Sequence, residues 1–273
     1  ENLSSVLRDY FPTIKQLGLS RGYAKSTIGG WKRRNVLPAK IAKDLLSLYP
    51  ALDFSSGFFK LGENSSVPLP IKLPLDYQFL IFLGLWIADG CYDKFSTIVS
   101  SNDIEDREIV SNVAKQFGLK SRFHSDGVSY MLNSKTLKIT LQEFLGFTGN
   151  AFTKRVPDWI FSLAPRQITS LLEGVFSGDG CASDKEIIIN LSSETLLKDL
   201  QTLLLPFKII LRVGSYKERD KTFHAAISKL ESLQNFARYV GFLQKYKNQR
   251  LSLLCQKASS HDTTDNFDLD LET

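Results

Sequence analysis

The sequence predicts an α+β protein of two similar αββαββα halves, preceded by a small all-α unit. Three observations predict it. The stretch Phe82-Leu83-Gly84-Leu85-Trp86-Ile87-Ala88-Asp89-Gly90 returns 90 residues later as Leu172-Glu173-Gly174-Val175-Phe176-Ser177-Gly178-Asp179-Gly180. The residues after each copy run in parallel, with strand and helix signals in the same order. Ahead of both lies a strongly basic segment that reads as short helices.

Each repeated stretch has a small residue at its third and seventh places. In a helix, Gly84 with Ala88 and Gly174 with Gly178 are i,i+4 pairs on one face. Two such faces let helix backbones approach closely, because little side chain stands between them. The surrounding apolar residues (Leu80, Leu83, Leu85 and Ile87; Leu171, Leu172, Val175 and Phe176) are expected to be buried in the halves beneath. Each Asp falls at a helix end, followed by a Gly suited to the αL conformation that stops a helix. Packed side by side, the helices deliver Asp89 and Asp179 to one place. Two close carboxylates are costly unless a cation sits with them.

Asp76 reads as the N-cap of the first repeated helix. Beyond the motifs, Phe95–Ser101 and Glu186–Ser192 alternate as strands, and Asp103–Phe117 and Ser193–Leu205 read as amphipathic helices. Strand-like pieces come next at Lys120–His124, Val128–Leu132 and Thr136–Thr140, and in the second half at Lys208–Val213 and Thr222–Ser228. Leu141-Gln142-Glu143-Phe144 then matches Leu233-Gln234-Asn235-Phe236, and Gly146-Phe147 matches Gly241-Phe242. A repeat of this length implies halves related by a pseudo-twofold axis, with the motif helices on it. The expected boundaries are 71–164 and 165–255 for the halves, with 1–70 before them and an acidic tail at 256–273.

These paired motifs resemble those of LAGLIDADG homing endonucleases in their single-chain, two-motif form. The sixth place departs from an acid, being Ile87 in one copy and Ser177 in the other, but that place varies in the family. The resemblance implies two sheets spread as a saddle beneath double-stranded DNA. It makes Asp89 and Asp179 the metal ligands, with Gly90 and Gly180 beside them in the metal site, and Mg²⁺ the cofactor, with Mn²⁺ able to substitute. Mg²⁺ prefers oxygen ligands and keeps several waters, so one Asp per site plus phosphates is adequate.

The family also places a basic residue, usually Lys, beside each site. In the intein branch one such Lys stands in a Lys-x-x-Pro block, here Lys154-Arg155-Val156-Pro157. The repeat puts Lys247 at the equivalent point, 68 residues after Asp179 where Lys154 is 65 after Asp89. Lys245 is a rival for that role. DNA contacts are expected from outward residues of the strands and their loops: Arg122, His124, Lys138, Arg212, Lys217 and Arg219.

The first unit carries eight basic residues between Pro12 and Pro50 against one acid, Asp44. Ile14–Ser20 and Ser26–Arg33, followed by Pro38 and a helix over Ala39–Leu48, resemble a repressor-type helix-turn-helix with a buried Trp31. Arg21, Lys25, Lys32, Arg33 and Arg34 are its candidate DNA contacts. Gly29-Gly30 weakens a recognition helix, and a plain basic helical bundle is the alternative. Gly and Pro residues over 53–74 are linker chemistry.

Net charge is +5, but the last thirteen residues hold five of the 29 acids and none of the 34 bases. The remaining body, 34 basic against 24 acidic side chains, suits a polyanionic partner. No apolar run reaches a membrane span, and no secretory signal pattern is present. Cys91, Cys181 and Cys255 form no CxxC pair, which argues for a reducing, intracellular compartment. The leading functional expectation is a monomeric, site-specific double-strand DNA homing endonuclease, intein-derived, with any splicing domain outside this chain. A non-cleaving transcription regulator of the same fold, or an RNA maturase, is the alternative.

Overall fold

The computed structural model describes residues 3–61, 67–124, 126–217 and 221–258. Arg219 and the acidic stretch from residue 259 onward lie outside these. The described residues form two compact units: 3–61 with 68–74, and residue 67 with 75–258.

The first unit has four helices: α1 (Leu3–Asp9), α2 (Phe11–Ser20), α3 (Lys25–Arg34) and α4 (Ala39–Leu48). Their apolar faces meet in one core of Val6, Leu7, Ile14, Ile28, Trp31, Ile41 and Leu45. Pro12 lies in the first turn of α2, where its missing N–H costs nothing. Gly18 lets α2 approach α3, since a Cβ there would meet the Ile28 side chain at 2.8 Å. The segment read as a linker contains a two-residue ladder, β1 (Phe58–Phe59) pairing antiparallel with β2 (Leu69–Pro70). The unit is therefore not wholly α.

The second unit holds the repeat. Its first half runs α5 (Tyr77–Asp89), β3 (Gly90–Tyr92), β4 (Ser96–Ser100), α6 (Ile104–Gln116), β5 (Ser121–Phe123), β6 (Ser129–Asn133) and α7 (Lys135–Ile139). The second runs α8 (Pro165–Asp179), β7 (Gly180–Ala182), β8 (Ile187–Leu191), α9 (Glu194–Leu204), β9 (Arg212–Lys217), β10 (Thr222–Ile227), α10 (Leu230–Tyr239) and α11 (Lys245–Ala258). Each half builds one antiparallel sheet, and the strand orders correspond: β3-β4-β6-β5 and β7-β8-β10-β9. Even the register repeats, with Gly90 opposite Val99 and Gly180 opposite Ile189. No described helix is long and apolar enough to cross a membrane.

Three local expectations are corrected. Thr136–Thr140 is helical, not a strand. Ser134 Oγ caps it by accepting from Leu137 N at 3.1 Å, and Leu137 and Leu141, one turn apart, are both fully buried. Alternation of Thr and Leu imitated a strand, but the burial period is four. The ninth strand begins at Arg212 and not Lys208, because Lys208 sits at φ +56 closing a short 3₁₀ turn over Leu205–Phe207. The glycines behind the motif acids, Gly90 and Gly180, are extended (φ −94 and −89) and not αL. Each helix passes directly into a strand. Glycine is needed there for space: a Cβ on Gly90 would strike the Trp86 ring, and one on Gly180 would lie 2.6 Å from Phe176 O.

The helix pair α5–α8 forms the middle of this unit. A Cβ on Gly84 would fall on Leu171 O, and one on Gly174 on Ile81 O; the Gly178 position would meet Ala88 Cβ at 2.5 Å. The obstacles at Gly84 and Gly174 are backbone atoms, which cannot rotate away. Gly174→Ala is therefore expected to lower stability by ~1–3 kcal/mol or more, despite a helix-propensity gain of ~1 kcal/mol. Chemical denaturation of the variant beside the parent checks this. An unchanged or raised midpoint would mean the helices are not in backbone contact.

Candidate active site

Both motif helices end where their sheets begin, so the acids stand at one end of the α5–α8 pair. Asp76 starts α5 by accepting from Phe79 N at 2.9 Å, and α8 starts with Pro165 in its first turn. From these starts, close packing of the small residues brings Asp89 and Asp179 near enough for their charges to interact. Burial pushes the Asp179 carboxyl up to about 7, and the neighbouring Asp89 charge pushes the same way. Asp89 keeps open surface but is also raised, by desolvation above all. The ammonium groups of Lys154 and Lys247 act on both acids in the opposite sense. All four candidate residues thus share one electrostatic environment.

The lysines are nearly buried, at 5 % and 7 % exposure, which is unusual for an unpaired cation. Their ammonium groups are spent on helix ends. Lys154 Nζ donates to Trp86 O (2.9 Å), Ile87 O (3.0 Å) and Ala88 O (3.1 Å), the free carbonyls of the last turn of α5. It also lies 4.8 Å from the centre of the Trp86 ring. Lys247 Nζ donates to Ser177 O (2.5 Å) near the end of α8 and lies 5.8 Å from the Phe242 ring centre. Burial lowers the pKa of both, and the surrounding acids offset part of that. Lys245, the rival, is exposed.

Two desolvated carboxylates that repel each other fit a hard divalent cation. No group of three or more His, Cys, Asp or Glu side chains gathers among the described residues. An ion held there by Asp89 and Asp179 would therefore keep waters and take further oxygens from a phosphate, as Mg²⁺ commonly does.

The other predicted contacts are dispersed. Arg122, His124, Arg212 and Lys217 are exposed on or beside the outer strands β5 and β9. His124 Nδ1 lies 3.3 Å from Asp126 in the following turn. Lys138 is in the helix α7 and donates to Asp93 O at 2.8 Å, bracing the β3–β4 turn. Arg219 lies outside the described residues. In the first unit Lys25, Lys32, Arg33 and Arg34 are exposed on α3, whereas Arg21 is engaged with both Asp44 oxygens at 2.5 and 2.7 Å.

Sequence reasoning missed Asp106, Asp199 and Gln244, all buried. A signal existed. Asp106 opens the apolar stripe Ile109, Val110, Val113, and Asp199 interrupts the stripe Leu196, Leu200, Leu203. An acid on the buried face of an amphipathic helix requires a partner.

With this geometry in place, the comparisons are specific. The fold is the LAGLIDADG α+β fold, and residues 166–241 match the family model described as a LAGLIDADG-like domain. Among solved structures, I-DmoI in complex with DNA and Ca superposes with a TM-score of 0.50 at 13 % identity, covering 68 % of this chain and 99 % of that one. Among curated proteins, glutamine–fructose-6-phosphate aminotransferase of Methanocaldococcus jannaschii is 28 % identical over 236 residues, covering 79 % of this chain and 21 % of that protein. The replicative DNA helicase DnaB of a Synechocystis species is 28 % identical over 268 residues, covering 89 % and 29 %. Elongation factor 2 of Methanopyrus kandleri is 27 % identical, covering 83 % and 17 %. The chain spans about a fifth of the length of the first curated relatives it matches.

Proposed function

We propose that this chain is a site-specific, metal-dependent double-strand DNA endonuclease of the homing type, derived from an intein. The observation that carries the reading is the convergence of Asp89, Asp179, Lys154 and Lys247, two from each half, at the end of one helix pair. A regulator of this fold that only binds DNA has no need of two repelling acids and two desolvated lysines in register. The intein origin is supported by the relatives: an aminotransferase, a helicase and an elongation factor share no chemistry, yet each carries a segment like this one. An inserted element common to unrelated hosts accounts for that.

In this reading Asp89 and Asp179 hold the divalent ions, Mg²⁺ or Mn²⁺, which supply Lewis-acid stabilisation of charge on phosphoryl oxygens. Lys154 and Lys247 place positive charge beside the scissile phosphates, one for each strand. The lysines are preorganised: three carbonyls hold Lys154, so little motion is needed when the transition state forms. Two motif copies in one chain provide both strand sites, so the enzyme acts as a monomer. The decisive experiment offers purified protein a plasmid carrying the host gene with the insertion removed, with Mg²⁺. Linearisation at one position is expected. Intact circles, with retained binding in a gel-shift assay, would turn the reading toward a non-cleaving regulator.

The first unit adds DNA affinity in this proposal, with α3 as the groove-facing helix. Ile28 and Trp31 are buried beneath it while Lys25, Lys32, Arg33 and Arg34 face outward. A chain beginning near Pro70 should still cut, but only at higher concentration. Its binding should weaken less steeply with salt, since the slope falls by about 0.9 for each phosphate no longer neutralised. Loss of all cutting in that chain would show the unit to be integral to the nuclease.

A further inference from the structure

Each buried lysine is anchored by the half of the repeat to which it does not belong. Lys247 lies at the end of the second half and meets its motif helix, α8. The turn that delivers it is tied to the first half through Gln244, which is fully buried. Gln244 Nε2 donates to Asp106 Oδ1 of α6 at 2.7 Å and more weakly to Ser177 O at 3.3 Å. Asp106 is held in turn by Ser101 Oγ, which donates to Oδ2 at 2.7 Å. Leu243 N donates to Ser177 Oγ at 2.8 Å, so the same turn is also fixed to α8.

Lys154 shows the converse. It lies at the end of the first half and meets α5, but its main chain is held by the second half. Ser193 Oγ, the N-cap of α9, donates to Lys154 O at 2.7 Å. Asp199 Oδ2 accepts from Val156 N at 2.9 Å, with Arg155 Nε 3.7 Å away. The two acids are not at equivalent repeat positions. Asp106 lies two residues into α6 and Asp199 five into α9, so the arrangement is not simply inherited from the duplication.

Gln244 displays the purpose of the first anchor. Its amide N–H groups are both used, while its Oε1 is buried with no partner. A buried acceptor left unpaired is costly. That cost is tolerated where the amide must point its nitrogen at two fixed acceptors, Asp106 and Ser177. From these contacts we infer that Asp106 is the positioning residue for Lys247, and Asp199 for Lys154, so that each strand site is assembled only when the opposite half is in place. The inference rests on the proposed roles of the two lysines, and it explains how a pseudo-symmetric nuclease prevents one half from forming a competent site alone.

The test uses the full chain and has two arms. In the first, lysine reactivity to reductive methylation is read residue by residue by mass spectrometry. Asp106→Ala should raise methylation of Lys247 by ~5-fold or more while Lys154 stays within ~2-fold, and Asp199→Ala should do the reverse. Asp106→Asn, which keeps an acceptor oxygen for Gln244, should retain the parent pattern. Should Asp106→Ala fail to fold, Gln244→Leu reads the same anchor from its other end. Equal rises at both lysines, or none, would overturn the inference. In the second arm, a doubly end-labelled duplex reports nicking of each strand. Asp106→Ala should slow the strand that Lys247→Met slows, and Asp199→Ala the strand that Lys154→Met slows. Equal slowing of both strands in either alanine variant would also overturn it. If the parent cuts no DNA, the nuclease reading fails, and the methylation arm still decides the anchoring.

Discussion

Asp179→Asn is expected to abolish double-strand cleavage while leaving DNA affinity within a few-fold of the parent, and Asp89→Asn to do the same. Asn keeps the shape of the side chain but removes the charge a hard cation requires. Losing several kcal/mol of charge stabilisation corresponds to a rate decrease on the order of a thousandfold. A second consequence separates this from general damage. The Asp179 carboxyl is raised to about 7 in the folded chain by burial and by Asp89, against ~3.9 when unfolded. The stability it contributes is therefore present below pH ~4 and lost as pH rises toward 7, so at pH 8 the ionised group destabilises the metal-free protein. Asp179→Asn should raise the metal-free melting temperature at pH 8 by several degrees, about 2–4 °C for each kcal/mol regained. A variant that cuts at parental rate, or that melts lower at pH 8, would show that Asp179 is not the strained acid of a metal site.

Lys154→Met and Lys247→Met are each expected to slow cleavage of one strand by about a hundredfold or more, without loss of metal binding. Met retains the packing of Lys154 over Trp86 and of Lys247 near Phe242 while removing the ammonium group. Because each lysine meets a different motif helix, a supercoiled plasmid should pass through a long-lived nicked circle before linearising. Lys245→Met is the comparison: its side chain is exposed, and nicking should proceed at the parental rate on both strands. Equal slowing of both strands by a single lysine variant would mean that the two sites share one basic group. Damage from Lys245→Met with none from Lys247→Met would shift the register of the second half.

Much of this was legible in the chain. The two Asp-Gly motifs, their small residues and the repeat register are local patterns, and the matching sheet orders arise from a duplicated sequence of elements. Lys154 and Lys247 were legible for the same reason. Elsewhere the chemistry of a segment has two solutions, and the wrong one was read. Thr136–Thr140 alternates as a strand does, yet Ser134 caps it as a helix. A glycine after a helical Asp suits αL, yet Gly90 and Gly180 are small because Trp86 and Phe176 crowd them.

By itself, the sequence determined that two equivalent helices end in acids and that a cation-seeking pair of carboxylates results, because spacing along one chain dictates which residues share a helix face. Only the tertiary structure decided how the lysines are held. Lys154 and Lys247 are buried because unpaired carbonyls at the ends of α5 and α8 attract them, and Asp106 and Asp199 hold the turns that carry them. Those contacts join residues up to 138 positions apart. The partner of a buried polar group depends on where the fold brings an unsatisfied donor or acceptor, and no local spacing specifies that.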